Sequence, residues 1–222
     1  MAEHGELDGL RCAANQIGLE VSVDQAERLV GYVKLLERWN KKFNLVSRYD
    51  MARLLPRHML DSLSIDKWLQ GPRVLDIGSG AGLPGVPLAM VNADRQFVLV
   101  DRSERRARFL QQVVMTFKLD NVAVQCADAG DLTGDPPFST IVCRAVAPLE
   151  RVWQMAQPLL DESGRLLFMN RTGVQADAGG ELARDLKRDA TLLPAGVNIV
   201  REYVRIPGLP AAHEVLIVAA SP

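Results

Sequence analysis

The sequence contains no run of 18 apolar residues, so no transmembrane helix is expected. Its opening segment, MAEHGELDGLRCAANQ, is acidic and lacks the charged-then-apolar pattern of a secretory signal. Cysteine is scarce: Cys12, Cys126 and Cys143 are three in number and widely spaced. They make neither a disulfide framework nor a zinc-ligand spacing. Internal repeats and low-complexity tracts are missing, and the net charge is only −1, which argues against a generally basic nucleic-acid binder. These absences point to a reduced, cytoplasmic protein without a metal site or a membrane span; a monomer is the working expectation, which nothing in the sequence decides.

What is present is a globular chain. An apolar content of 48% over 222 residues supports one domain, or one with a small extension. The near-neutral average hides a pattern. Residues 1–27 carry six acids against Arg11 alone. Residues 28–58 carry eight bases (Arg28, Lys34, Arg38, Lys41, Lys42, Arg48, Arg53 and Arg57) against Glu37 and Asp50. A second basic cluster gathers Arg102, Arg105, Arg106, Arg108 and Lys118 against Glu104. Local basic faces on a neutral protein suit a polyanion site, although solvated helix faces produce the same pattern.

Residues 1–70 read as a helical extension. In DQAERLVGYVKLLERWNKKFNLV, the residues Leu29, Tyr32 or Val33, Leu36, Trp39 or Asn40, and Phe43 recur at intervals of three and four. Asp24 followed by Glu27 suggests a capping box. HMLDSLSIDKWLQ reads as a second amphipathic helix, ended by Gly71-Pro72. From residue 71 to 222 short apolar runs alternate with helical stretches. RVLDIG, QFVLVD, NVAVQCAD, FSTIVCRAV, GRLLFMN and HEVLIVAA read as strands, with a weaker one near Val197–Val204. Such alternation predicts an α/β core, a mostly parallel sheet with helices on both faces, whose ligand binds beyond the carboxyl ends of the strands.

The segment RVLDIGSGAGLPG carries the chemistry. Its glycines fit a dinucleotide fingerprint if Gly80, Gly82 and Gly85 are counted, but then the first glycine lies too far past the strand. The other register, Asp76 followed by Gly78, Gly80 and Gly82, resembles the first motif of class I S-adenosylmethionine-dependent methyltransferases. The physics favours it, because a carboxylate would repel a pyrophosphate at the helix N-terminus. S-adenosylmethionine has no phosphate, and its sulfonium and amino groups are cationic, so Asp76 is expected to help hold the methionine end directly or through water. Asp101 closes the second strand, where a carboxylate accepts from ribose hydroxyls; dinucleotide sites share that feature.

Four further features carry competing readings. Gly134–Phe138 (GDPPF) looks like a motif of adenine amino-group methyltransferases, but it precedes a strand, where two prolines more simply form a turn. Cys143 sits near the end of a strand, where burial is the simpler reading than attack on a pyrimidine ring. His58 is a base or a packing residue. Arg144 follows the fourth strand; it is either an ion-pair partner of Asp128 or Asp131, or a planar fork that holds cofactor or a base.

Five segments in order, ERWNKKFNLVSRYD, RHMLDSLS, VLDIGSGAGLPGVPLAM, LVDRSERRARFLQQV and FSTIVCRAVAPL, resemble the RsmG (GidB) family. This family makes 7-methylguanosine in bacterial small-subunit ribosomal RNA. The resemblance spans nearly the whole chain. It implies cofactor contacts at Gly78, Leu83, Ala129, Gly130 and Arg144, and it adds to the physical reading of Gly80 and Asp101. Asn40, Asn44, Arg57, His58 and Asp61 fall in the family's N-terminal motifs and are substrate candidates. Lys41 and Lys42 join them as phosphate contacts within the basic segment. Two departures stand out: Asn170-Arg171-Thr172 replaces the family's usual lysine-glycine, and ADAGDL replaces a loop that often carries arginine and glutamate.

The implied chemistry is self-consistent. Guanine nitrogen-7 keeps a free lone pair, so its methylation removes no proton and alignment alone supplies catalysis. That accounts for the lack of a nucleophile or base triad. The alternatives are a small-molecule methyltransferase, against which the basic segment counts, a non-catalytic cofactor-sensing RNA-binding protein, and, least supported, a dehydrogenase.

Overall fold

The computed structural model describes residues 2–47, 58–144, 147–169, 193–209 and 212–221. Two N-terminal helices, α1 (Ala2–Gln16) and α2 (Val23–Phe43), lead into a short α3 (Leu60–Leu63) and a 3-10 turn at Asp66–Trp68. Strands and helices then alternate: β1 (Arg73–Ile77), α4 (Gly85–Val91), β2 (Gln96–Val100), α5 (Glu104–Phe117), β3 (Val122–Gln125), β4 (Phe138–Arg144), α6 (Leu149–Ala156) and β5 (Leu160–Met169). The chain closes with β6 (Val197–Val204) and β7 (His213–Ala220).

The seven strands run in the order β3-β2-β1-β4-β5-β7-β6. The first five are parallel, and β7 inserts antiparallel between β5 and β6. The order reverses beside β1 and β4, so the carboxyl ends of these two strands flank the topological switch point.

Strand alternation divides the apolar residues into two layers. Val74, Phe97, Leu99, Val142 and Leu167 pack on one face with Leu29, Tyr32 and Leu36 of α2, Val86 of α4, and Phe109 and Leu110 of α5. Leu75, Ile77, Ile141, Cys143, Leu166 and Phe168 face the other way, against Val152 and Trp153 of α6. The two N-terminal helices therefore share one apolar cluster with the sheet.

Two local expectations are corrected. The capping box of α2 uses Ser22 and Gln25 rather than Asp24 and Glu27: the Ser22 hydroxyl accepts from the Gln25 amide at 3.2 Å, and the Gln25 side chain accepts from the Ser22 amide at 2.9 Å. Asp24 instead pairs with Arg28 across one exposed turn at 3.0 Å. HMLDSLSIDKWLQ does not form one amphipathic helix. The Ser62 hydroxyl donates to the His58 carbonyl at 2.6 Å and the Ser64 hydroxyl to the Asp61 carbonyl at 2.7 Å. Such back-bonding competes with the helical ladder, and regular helix stops after Leu63. Gly134–Phe138 is the bend that enters β4, in keeping with the turn reading.

Candidate active site

The glycine loop after β1 decides between the two registers. Gly78, Gly80 and Gly82 all take positive φ, at 68°, 60° and 96°, a region that L side chains rarely adopt. Gly85 has no such φ and begins α4. Its requirement is close packing, since a Cβ there would lie 2.6 Å from Asp76 Oδ2. The loop is the Asp76-Gly78-Gly80-Gly82 register, and three glycines shape its turn.

Asp76 stands behind this loop. Strand parity aims it at the helical layer with Val74, opposite to Leu75 and Ile77. Its side chain has 0% exposure; Oδ2 accepts from the Gly85 amide at 3.0 Å, and Oδ1 has no hydrogen-bond partner. Burial pushes its pKa up to about 7, opposed chiefly by the Gly85 hydrogen bond. Asp76 does not itself line the cleft; it seats the loop from behind through the Gly85 amide, so any reach to a ligand would run through water rather than by direct contact. From the other side, the Tyr32 hydroxyl of α2 donates to the Ala81 carbonyl at 2.6 Å.

A cleft of about 570 Å³ opens at the carboxyl ends of β1, β2 and β4. Of the residues singled out in the sequence, Gly78, Gly80, Leu83, Asp101, Ala129 and Arg144 line it. Gly130 lines an adjoining hollow of about 330 Å³ that shares Asp128, Ala129, Arg151 and Met155 with the main cleft. The Asp128 side chain caps the Gly130 amide at 3.1 Å. Asp101 is anchored by three donors: Ser103 N on Oδ1 at 2.9 Å, and Gly80 N at 2.9 Å and Arg106 Nη1 at 3.3 Å on Oδ2.

At the end of β4, Arg144 meets two residues of the segment at α3 and, through one of them, the start of β7. Its Nη2 lies 2.5 Å from His58 Nδ1, and its Nη1 lies 3.6 Å from Asp61 Oδ2. The other Asp61 oxygen is 2.5 Å from Nδ1 of His213, the first residue of β7. Arg144 thus pairs with Asp61, not with Asp128 or Asp131. A guanidinium has donors only, so His58 Nδ1 must accept. His58 is then the neutral Nε2–H tautomer, and neither ring nitrogen offers a lone pair for proton abstraction.

The remaining candidates divide. Asn40 is buried and clamps Val46, donating to its carbonyl at 3.0 Å and accepting from its amide at 2.9 Å. It therefore shapes the wall formed by Leu45, Val46 and Ser47, which line the cleft. Asn44 ends α2 in the left-handed conformation with φ 46°, and Lys41 and Lys42 are exposed beside it. Arg57, together with the departure at Asn170-Arg171-Thr172, lies outside the described residues. Cys143 is buried in β4. Sequence reasoning missed Tyr32 as a loop support, Arg106 as a cover on Asp101, and His213 as the partner of Asp61. The last two residues are 152 positions apart, and only the polar start of an otherwise apolar strand hinted at His213.

Glycine loop, acid after β2 and the β5-β7-β6 edge together define a class I S-adenosylmethionine-dependent methyltransferase. Solved structures share this fold. The O-methyltransferase TomG of Streptomyces achromogenes matches with a TM-score of 0.58 at 15% identity, covering 86% of this chain and 90% of that one. An O-methyltransferase-like protein of Klebsiella pneumoniae matches at 0.57 and 13% identity, covering 88% and 90%.

The family is narrower. The model of the GidB family, rRNA small subunit methyltransferase G, matches residues 25–182. The ribosomal RNA small subunit methyltransferase G of Yersinia enterocolitica is 38% identical over 221 residues, covering 97% of this chain and 98% of its own. That of Methylococcus capsulatus is 36% identical over 197 residues, covering 89% and 90%. This chain belongs to the rRNA small subunit methyltransferase G family.

Proposed function

We propose that this protein transfers the methyl group of S-adenosylmethionine to nitrogen-7 of a guanosine in small-subunit ribosomal RNA. The donor set suits that cofactor. Gly78 and Gly80 bring bare backbone to the cleft, the Asp101 carboxylate meets ribose hydroxyls, and Ile77, Val100, Ala127, Ala129 and Met155 offer apolar surface to a purine. A 570 Å³ cleft is of ordinary size for a small-molecule site. Bound there, the cofactor supplies a methyl group activated on a sulfonium.

The chain's own residues bind and align. Residues 1–70 serve as a helical extension that backs the glycine loop through Tyr32, and residues 71–222 form the transferase core. Leu83 and the Ala129-Gly130 backbone complete the cofactor walls, while Asp76 seats the loop from behind. Arg144 presents its guanidinium at the β4 end, where cofactor and base meet. Lys41, Lys42 and Asn44 sit at the exposed end of α2 and meet RNA phosphates. The observation that carries the nitrogen-7 reading is the state of His58. The imidazole at the β4 end gives its Nδ1 to Arg144, so the site is built to align a nucleophile that needs no deprotonation.

Mapping of 7-methylguanosine in small-subunit RNA, by mass spectrometry of cells lacking the protein, tests the proposal. One methylated guanosine is expected to lose its mark and to regain it on supplying the wild-type chain. Retention of every 7-methylguanosine would overturn the assignment.

A further inference from the structure

Arg144 is held by a chain of side chains that runs away from the cleft. His58 and Arg144 line the cleft; Asp61 and His213 do not. Asp61 is buried and contributes one oxygen to each neighbour, Oδ2 toward Arg144 Nη1 at 3.6 Å and Oδ1 to His213 Nδ1 at 2.5 Å. A carboxylate only accepts, so His213 donates from Nδ1. The side chains of Arg144, Asp61 and His213 are 17%, 10% and 14% exposed, so little water competes for these bonds. Arg144 Nη1 is buried and makes no hydrogen bond, although the Asp61 charge faces it. The guanidinium is therefore pinned at Nη2 by His58 and steered at the buried Nη1 by the Asp61 charge.

We infer that Asp61 and His213 are positioning residues for Arg144: His213 fixes the rotamer of Asp61, and the fixed carboxylate sets the direction in which the guanidinium fork faces the reacting groups. This rests on the methyl-transfer reading of the cleft and adds to it two residues that touch neither cofactor nor base. The geometry gives each link a distinct requirement. His213 needs only an N–H at the Nδ1 position, which an asparagine amide reproduces. Asp61 needs both an acceptor for His213 and a negative charge for Arg144; an asparagine keeps the first and loses the second. His213 tethers β7 to α3, so its effect reaches Arg144 only through Asp61.

The test uses the full-length protein and two readouts. The first is single-turnover methylation of small-subunit particles at saturating cofactor, with His213→Ala, His213→Asn and Asp61→Asn, each also combined with Arg144→Lys. His213→Ala and Asp61→Asn are expected to lower the rate about ten- to a hundredfold, the scale of a catalytic group displaced by about an ångström. Cofactor affinity by calorimetry stays within a few-fold, His213→Asn recovers most of the rate, and in the Arg144→Lys background the further losses shrink towards none. The second readout is the imidazole Nδ1–H proton signal of His213 in the cofactor-free protein, expected to be protected from exchange and strongly shifted downfield, and to move in Asp61→Asn. A wild-type rate in His213→Ala, an unrescued His213→Asn, or losses that simply add to that of Arg144→Lys would overturn the inference. If the wild-type chain leaves the particle unmethylated, the substrate reading falls instead, and the proton signal alone decides whether Asp61 holds His213 as described.

Discussion

The hydroxyl of Tyr32, in the middle of α2, donates to the carbonyl of Ala81 in the glycine loop across 2.6 Å. Helix α2 thereby contacts the glycine loop of the cleft from behind. Both groups are buried, and burial holds the phenol far above its usual pKa, so it remains a donor throughout the working range. Tyr32→Phe removes the donor and strands the Ala81 carbonyl. We expect a loss of about 1–3 kcal/mol in urea unfolding. Cofactor affinity by calorimetry should weaken in the same variant. Affinity unchanged in a destabilised protein would separate the loop's shape from this bond.

Asp101 and Arg106 make opposite predictions. Asp101 organises Gly80 and Ser103 and faces the cleft, so Asp101→Ala loses the ribose acceptor and a loop anchor together. Each charge-assisted bond contributes about 1.5–3 kcal/mol, and calorimetry with S-adenosylmethionine should show a large drop. Arg106 covers Asp101 Oδ2, the oxygen that the proposed ribose contact would use; its side chain is 47% exposed, and the ion pair contributes little to stability. Arg106→Ala should bind the cofactor at least as tightly as wild type. Weaker binding in Arg106→Ala would mean that the arginine contacts the ligand itself.

The strand segments, the glycine loop and Asp101 were legible in the sequence because each is a local signal: an apolar run, a cluster of glycines, an acid at a strand end; the order of the strands in the sheet was not, because pairing is non-local. The place of Asp76 at the end of β1 is legible as well, but the direction of its carboxylate is not. Only the strand's parity, fixed by which face α2 and α4 cover, decides that its carboxylate points behind the loop. The clamp of Asn40 on Val46 is not legible either, since a side chain's partner six residues on depends on how the chain turns after α2. The Asp61–His213 link joins segments that no periodicity connects.

Asp76 also imposes a pH dependence on stability. Its folded pKa, about 7, lies above the ordinary carboxylate value of 3.8. The folded state thus holds a proton that the unfolded state has released. Stability from this group is fully present below the ordinary value and declines as pH rises towards 7, then levels off. Asp76→Asn keeps an acceptor for the Gly85 amide and carries no titrating proton. Measured against wild type by urea unfolding, the variant should gain relative stability steadily from about pH 4 to 7. A constant difference between the two proteins across that window would show that the buried carboxyl does not titrate there.

Lys41 and Lys42 lie exposed in the last turn of α2, beside the wall formed by Leu45, Val46 and Ser47. If they meet phosphates, the double change Lys41→Ala/Lys42→Ala should weaken RNA binding at low salt and flatten its dependence on salt by up to about two phosphate contacts. Cofactor affinity should not change. An unaltered salt slope would shift the RNA contact to Arg102, Arg105 and Arg108 at the start of α5.

His58 tests the mechanism itself. Its Nδ1 accepts from Arg144, so the ring's task is to hold the guanidinium, and a neutral acceptor of similar reach should replace it. An asparagine at this position offers a carbonyl oxygen near the Nδ1 site and cannot take up a proton near neutrality. We therefore expect His58→Asn to keep the single-turnover rate of methyl transfer within about tenfold of wild type, and His58→Ala to fall well below it. A wild-type rate that drops at low pH does not distinguish the two mechanisms, because protonating the ring both removes a base and breaks the bond to Arg144. The variant does distinguish them: with asparagine in place, any rise in rate between about pH 6 and 8 that belongs to the imidazole should vanish while turnover persists. An inactive but folded His58→Asn protein that still binds cofactor would show that the ring removes a proton. A nucleophile with a proton to lose would then replace guanine nitrogen-7 as the acceptor of the methyl group.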